Sequence, residues 1–239
     1  MVSAQPQPDQ LDFQFNRSVP KVSQKYPECC SSANDLVAIL ETSFRDFINS
    51  SSENKLLHFS KVQQTFSAFQ ENPYLLDKRW QFFIDSLQDL IFENFANSPA
   101  STAESFEMRL IYSAMTVRGK RAIQMFLKCG LNQIWLLKHL NVQLSSPCWE
   151  CQFVAFIWLS QFLLVPFPLR EKGEFSGQFF ISISQIALSH LSSSGSLRNA
   201  AGIFLGTFYA RPEFGIKMFI MEGIEEDTEY QVLFLFVNL

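Results

Sequence analysis

Cys148 and Cys151 form a C-x-x-C, a spacing that suits half of a zinc site or a dithiol redox pair. His139 and Cys129 lie upstream of it, but at no recognised finger spacing. The alternative is packing: Cys148 stands beside a helix start and Cys151 one turn inside, where a small hydrophobe fits well. The three histidines, His58, His139 and His190, each fall on or near a stretch with its own packing role, and none has a catalytic companion nearby. No G-x-S-x-G, Walker loop or H-E-x-x-H occurs, and the glycines are too scattered to cradle a phosphate. Glu225, Glu226 and Asp227 read as a solvated loop. One tight basic cluster remains, Arg118, Lys120 and Arg121. Such charge either complements the C-terminal dipole of a helix or docks an acidic partner. The expectation is a protein-binding module with no catalytic residue, no cofactor and no metal, whose candidate partner-binding residues are Arg118, Lys120 and Arg121.

The elements that would position these residues are helices. Of 239 residues, 26 are phenylalanine, and 47% are hydrophobic against 18% charged. So many rings are buried only where several helices share a long core. The net charge of -4 offers no general attraction to nucleic acid or anionic lipid. Residues 1–33 contain Pro6, Pro8, several Gln and the acids Asp9 and Asp12, without the apolar core of a signal peptide. They are expected to be a disordered N-terminal segment of a cytosolic protein, with the five cysteines as reduced thiols.

From Asn34 to Ile48, Leu36, Val37, Leu40, Phe44, Phe47 and Ile48 make an amphipathic stripe. A second helix over about Lys55–Gln70 turns Leu56, Phe59, Val62, Phe66 and Phe69 inward and stops at Asn72-Pro73. A third spans about Leu75–Phe95. A fourth spans Thr102–Val117, with Ser101 and Glu104 as a capping box and Gly119 as a left-handed C-cap. A shorter pair covers about Arg121–Lys128 and Asn132–Leu140. Cys151–Val165 is apolar nearly all round. It invites a transmembrane reading, but a proline cuts it short of the roughly 20 residues a bilayer needs, so a central buried helix is expected. Two more helices follow, about Gln178–Leu191 and Leu197–Ala210, the second rich in small residues that admit a close neighbour.

Nine helices, mostly paired by short loops and recurring at about 40 residues, have the period of HEAT or armadillo units. The fold class expected is therefore all-α, a HEAT/armadillo-like helical repeat array over residues 34–221, with a compact helical bundle as the alternative. Residues 222–239 form an atypical tail, because Val232–Val237 is six apolar residues in a row and no polar capping repeat follows. A fragment, or a tail arising from a gene-model error, is the expectation there.

Several stretches carry a resemblance to a known family. Gln70-Glu71-Asn72-Pro73-Tyr74-Leu75-Leu76-Asp77 resembles the Q-E-x-P-x-L-L-D segment of tubulin-folding cofactor D, and Val117-Arg118-Gly119 its V-R-G turn. Trp149-Glu150, Phe153, Trp158-Leu159-Ser160 and Val165-Pro166-Phe167 are similar to its W-E-x-x-[FY], W-L-S and P-F series. Arg198 with Ala200-Ala201 and Arg211-Pro212-Glu213 resemble R-D-A-A and R-P-D, with Asn199 in place of the aspartate. Lys120 stands where the family usually has an aromatic, and its members are several times longer. The resemblance implies a cytosolic co-chaperone acting after the chaperonin. It would bind β-tubulin, work with other tubulin-folding cofactors and a small Arf-like GTPase, and promote GTP hydrolysis by tubulin. A generic helical-repeat adaptor with another client is the alternative.

Overall fold

The computed structural model describes residues 33–51, 53–97, 105–129, 134–164, 177–211 and 214. Among them are nine α-helices: α1 Ala33–Ile48, α2 Lys55–Ser67, α3 Trp80–Asn97, α4 Phe106–Arg118, α5 Lys120–Gln124, α6 Ile134–Leu144, α7 Trp149–Phe162, α8 Gly177–Leu191 and α9 Ser196–Ala210. A 3-10 turn, Pro73–Leu76, precedes α3. The helices pair as α1 with α2, α3 with α4, α6 with α7, and α8 with α9. The second members also pack side by side, α2 on α4, α4 on α7 and α7 on α9. They start at Lys55, Phe106, Trp149 and Ser196, close to the interval of about 40 to 47 residues of HEAT and armadillo units. This chain of neighbours in sequence order is a helical-repeat array and sets the bundle alternative aside.

Polar ties confirm the register. Arg118 reaches Asp77 and Arg109 reaches Glu150, each across 41 residues, and the Lys128 amide reaches Gln88 across 40. The Arg109 tie joins one helix pair to the next, whereas Arg118 and Asp77 close the ends of the α3–α4 pair.

The phenylalanine excess goes into a core shared by successive pairs. Phe44 meets Phe83 edge-on at 4.9 Å, Phe66 stacks on Trp80 at 5.7 Å, and Phe156 contacts Phe204 at 5.8 Å. These spacings suit attractive ring pairs. Every residue of α7 from Phe153 to Ser160 is buried, since α4, α5, α6 and α9 all pack on it. That burial explains a helix apolar on all sides. It has 14 residues, and among the described residues no helix is long and apolar enough to cross a membrane. In α9, Ala200, Ala201 and Gly202 are buried, and their small size brings its backbone close to its neighbours.

Several boundaries differ from the expectations. Helix three does not start at Leu75: Pro73 opens a separate 3-10 turn, and α3 begins at Trp80. Leu56 is not on the buried face of α2 but 59% exposed. The first turn is anchored instead by Lys55, whose Nζ lies 2.6 Å from the buried Glu107 and 5.4 Å from the Phe47 ring centre. Ser101 and Glu104 fall outside the described residues. Helix α4 starts at Phe106, with Ser105 as N-cap accepting from the Met108 amide at 3.3 Å. The short pair is α5 and α6, ending at Gln124 and Leu144 rather than Lys128 and Leu140. The segment 1–32, the run Glu225–Asp227 and the tail 222–239 lie outside the described residues.

Candidate partner-binding surface

Helix α4 ends at Arg118, and its last turn closes as the Gly119 amide donates to the Met115 carbonyl at 2.9 Å. Gly119 has φ 96 and ψ 137, so it caps the helix as expected but in a more extended form than the left-handed helical one. A side chain there would strain the backbone even though space is free around it. The residue lets the chain turn at once into α5, which gathers Arg118, Lys120 and Arg121 at one corner.

The three cations are not equivalent. Arg118 donates through Nε to Asp77 Oδ1 at 2.6 Å and through Nη2 to Oδ2 at 3.1 Å, a two-pronged grip. The carboxylate pushes its pKa further up. Its guanidinium also lies 4.6 Å from the centre of the Tyr74 ring. Lys120 is half-buried, and burial together with the neighbouring charge of Arg121 lowers its pKa. Among the described residues neither Lys120 nor Arg121 pairs with an acidic side chain. Tyr74, against the Arg118 guanidinium, is 71% exposed, its chain neighbour Leu75 is partly exposed, and Met125, which follows α5, is 82% exposed.

Of the sulfur and imidazole candidates, Cys148, Cys151 and His139 are buried and Cys129 and His190 half-buried. Cys148 is the buried N-cap of α7, and Cys151, buried one turn on, donates through Sγ to the Ser105 carbonyl at 3.7 Å. Burial pushes the Cys151 thiol well up and the Cys129 thiol up to about 12. A thiol that resists ionisation is a poor nucleophile and a poor metal ligand. His190 rests against Phe156 at 5.8 Å. His139 packs edge-on to Phe95 at 5.7 Å, and burial lowers its pKa to about 4.

His139 carries a pH prediction. The unfolded imidazole takes a proton near pH 6.5, whereas the folded one does so only near 4. The folded state therefore has its full stability above pH 6.5 and loses it as pH falls toward 4, by about 3 kcal/mol. Urea midpoints at pH 7 and pH 4.5 should separate strongly in the native chain and less in His139→Leu. Equal separations in the two proteins would refute the assignment.

Sequence reasoning found the basic cluster but missed Asp77 and Tyr74 as the partners of Arg118. The signal was present, because Asp77 ends one of the family-like stretches and Arg118 stands in another. Three further residues of such stretches make ties as well. Glu150 holds Arg109, Trp158 Nε1 donates to the Lys128 carbonyl at 3.0 Å, and Arg211 donates to the Leu163 carbonyl at 2.6 Å. Glu150 and Arg211 thus join successive helix pairs, while Arg118 closes the α3–α4 pair and Trp158 fastens the segment after α5.

Paired helices stacked in sequence order define an armadillo-type repeat protein. Over residues 66–225 the sequence matches the family described as tubulin-specific chaperone D-like, ARM repeat, and the chain belongs to that family. It is similar to the tubulin-folding cofactor D of Schizosaccharomyces pombe (strain 972 / ATCC 24843), with 27% identity over 180 residues. The alignment covers 74% of this chain but 16% of that protein, so the chain spans only a small part of the relative's length. No solved structure matches the chain.

Proposed function

We infer that this chain is a tubulin-folding co-chaperone module of the cytosol that binds β-tubulin during post-chaperonin assembly of the α/β-tubulin heterodimer. In this reading it acts with other tubulin-folding cofactors and a small Arf-like GTPase and promotes GTP hydrolysis by tubulin. The observation that carries the reading is the family match over residues 66–225, which takes in the helices from α3 onward. The physics agrees in kind: a repeat array offers an extended surface to a large client, and the hydrolysed GTP would belong to tubulin, so the array needs no catalytic side chain. The candidate contact is the corner of Arg118, Lys120 and Arg121.

The test is capture of purified tubulin by the tagged 239-residue chain, with phosphate release from GTP-loaded tubulin followed in the same samples. Capture is expected. A folded, helical chain that leaves tubulin in the flow-through overturns the β-tubulin reading in favour of an adaptor for another client.

A further inference from the structure

We propose that the corner between α4 and α5 docks an acidic, extended segment of a partner protein, its carboxylates on Lys120 and Arg121 and an adjacent apolar side chain on Tyr74 and Leu75. The proposal rests on the protein-binding reading above and gives its contact a chemistry. The first argument is charge. Lys120 and Arg121 are adjacent cations without an acidic partner among the described residues, in a chain of net charge -4. Here the local charge opposes the overall one. Lys120 is also half-buried beside a like charge, which costs stability in the free protein and is relieved by an incoming carboxylate.

The second argument is preorganisation. The charge of Arg118 is already engaged by Asp77, so Arg118 is a positioning residue. Its guanidinium on the Tyr74 ring holds an exposed aromatic in place, and an anchor ordered before binding loses little entropy on contact. Met125, one helical turn after Arg121, adds a second exposed apolar group. Two cations without an acidic partner among the described residues are too few to track a phosphate backbone, whereas carboxylates alternating with apolar side chains match the mixture.

The probe is a short fluorescent peptide of alternating glutamate and leucine, titrated into the full chain at low and high salt. Tubulin capture is measured alongside. Replacing Lys120→Gln and Arg121→Gln together should weaken peptide binding roughly tenfold, as expected for two exposed charge pairs, and leave the thermal midpoint unchanged or higher. Tyr74→Ser should weaken binding while its salt dependence persists. Peptide binding as tight in the double variant as in the native chain overturns the proposal, as does equal affinity for an oligonucleotide of the same charge. Peptide binding decides this proposal, and tubulin capture decides the reading under Proposed function, so either can fail alone.

Discussion

Replacing Trp158 with alanine should lower the unfolding free energy by about 3 to 5 kcal/mol, the usual loss for a large aromatic in a close-packed core. Trp158 is 1% exposed and lies in the middle of α7, the helix buried on every side. Its indole also donates to the Lys128 carbonyl, which fastens the segment after α5 to the centre of the array. Domains have only about 5 to 15 kcal/mol of net stability, so the loss is a large fraction of the whole. At about 2 to 4 °C per kcal/mol for a domain of this size, the thermal midpoint should fall by roughly 10 °C. Trp158→Phe keeps most of the ring and removes the donor, and should cost only about 1 to 3 kcal/mol. Calorimetry of both variants checks the prediction, and a loss under about 1 kcal/mol for the alanine variant would mean that Trp158 does not fill the core.

The second large effect is expected at Lys55. Its ammonium pairs at 2.6 Å with Glu107, whose side chain is 3% exposed. Asn94 donates to the same carboxylate at 3.1 Å and Ser105 Oγ at 3.0 Å. The site joins α2, α3 and the start of α4, where a negative charge is also favoured by the helix dipole. Lys55→Met leaves the carboxylate buried without its counter-ion and should cost about 3 to 5 kcal/mol. Glu107→Gln should cost less, because the longer and more exposed lysine can swing into water while the amide keeps one hydrogen bond. Adding Glu107→Gln to Lys55→Met should therefore restore part of the loss. Denaturant titration of the two single variants and the double variant measures this, and additive losses would count against the pairing.

How legible the protein was depends on the range of the interaction concerned. The stripe Leu40, Phe44 and Phe47 in α1 and the stripe Phe59, Val62 and Phe66 in α2 are buried as their spacing predicts, because helical periodicity is a local property. The stop at Gly119 is local too, whereas α2 already ends at Ser67, before the stop expected at Asn72-Pro73. Errors fall at helix termini of both kinds, the starts of α3 and α4 and the ends of α2, α5 and α6, where tertiary groups compete with propensity. Leu56 is exposed because Lys55 anchors that turn, and the cap of α4 moves to Ser105, whose hydroxyl also serves Glu107.

The same division runs through the candidate surface. Sequence alone determined that the chain is a helical array with a phenylalanine core and that Arg118, Lys120 and Arg121 form a basic cluster, since side-chain type and period need no partner to be read. Only the tertiary structure decided that Arg118 belongs to Asp77 and Tyr74, while Lys120 and Arg121 find no acid among the described residues. The reason is distance along the chain. Arg118 and Asp77 stand 41 residues apart, and α4 must fold back along α3 before their charges can meet.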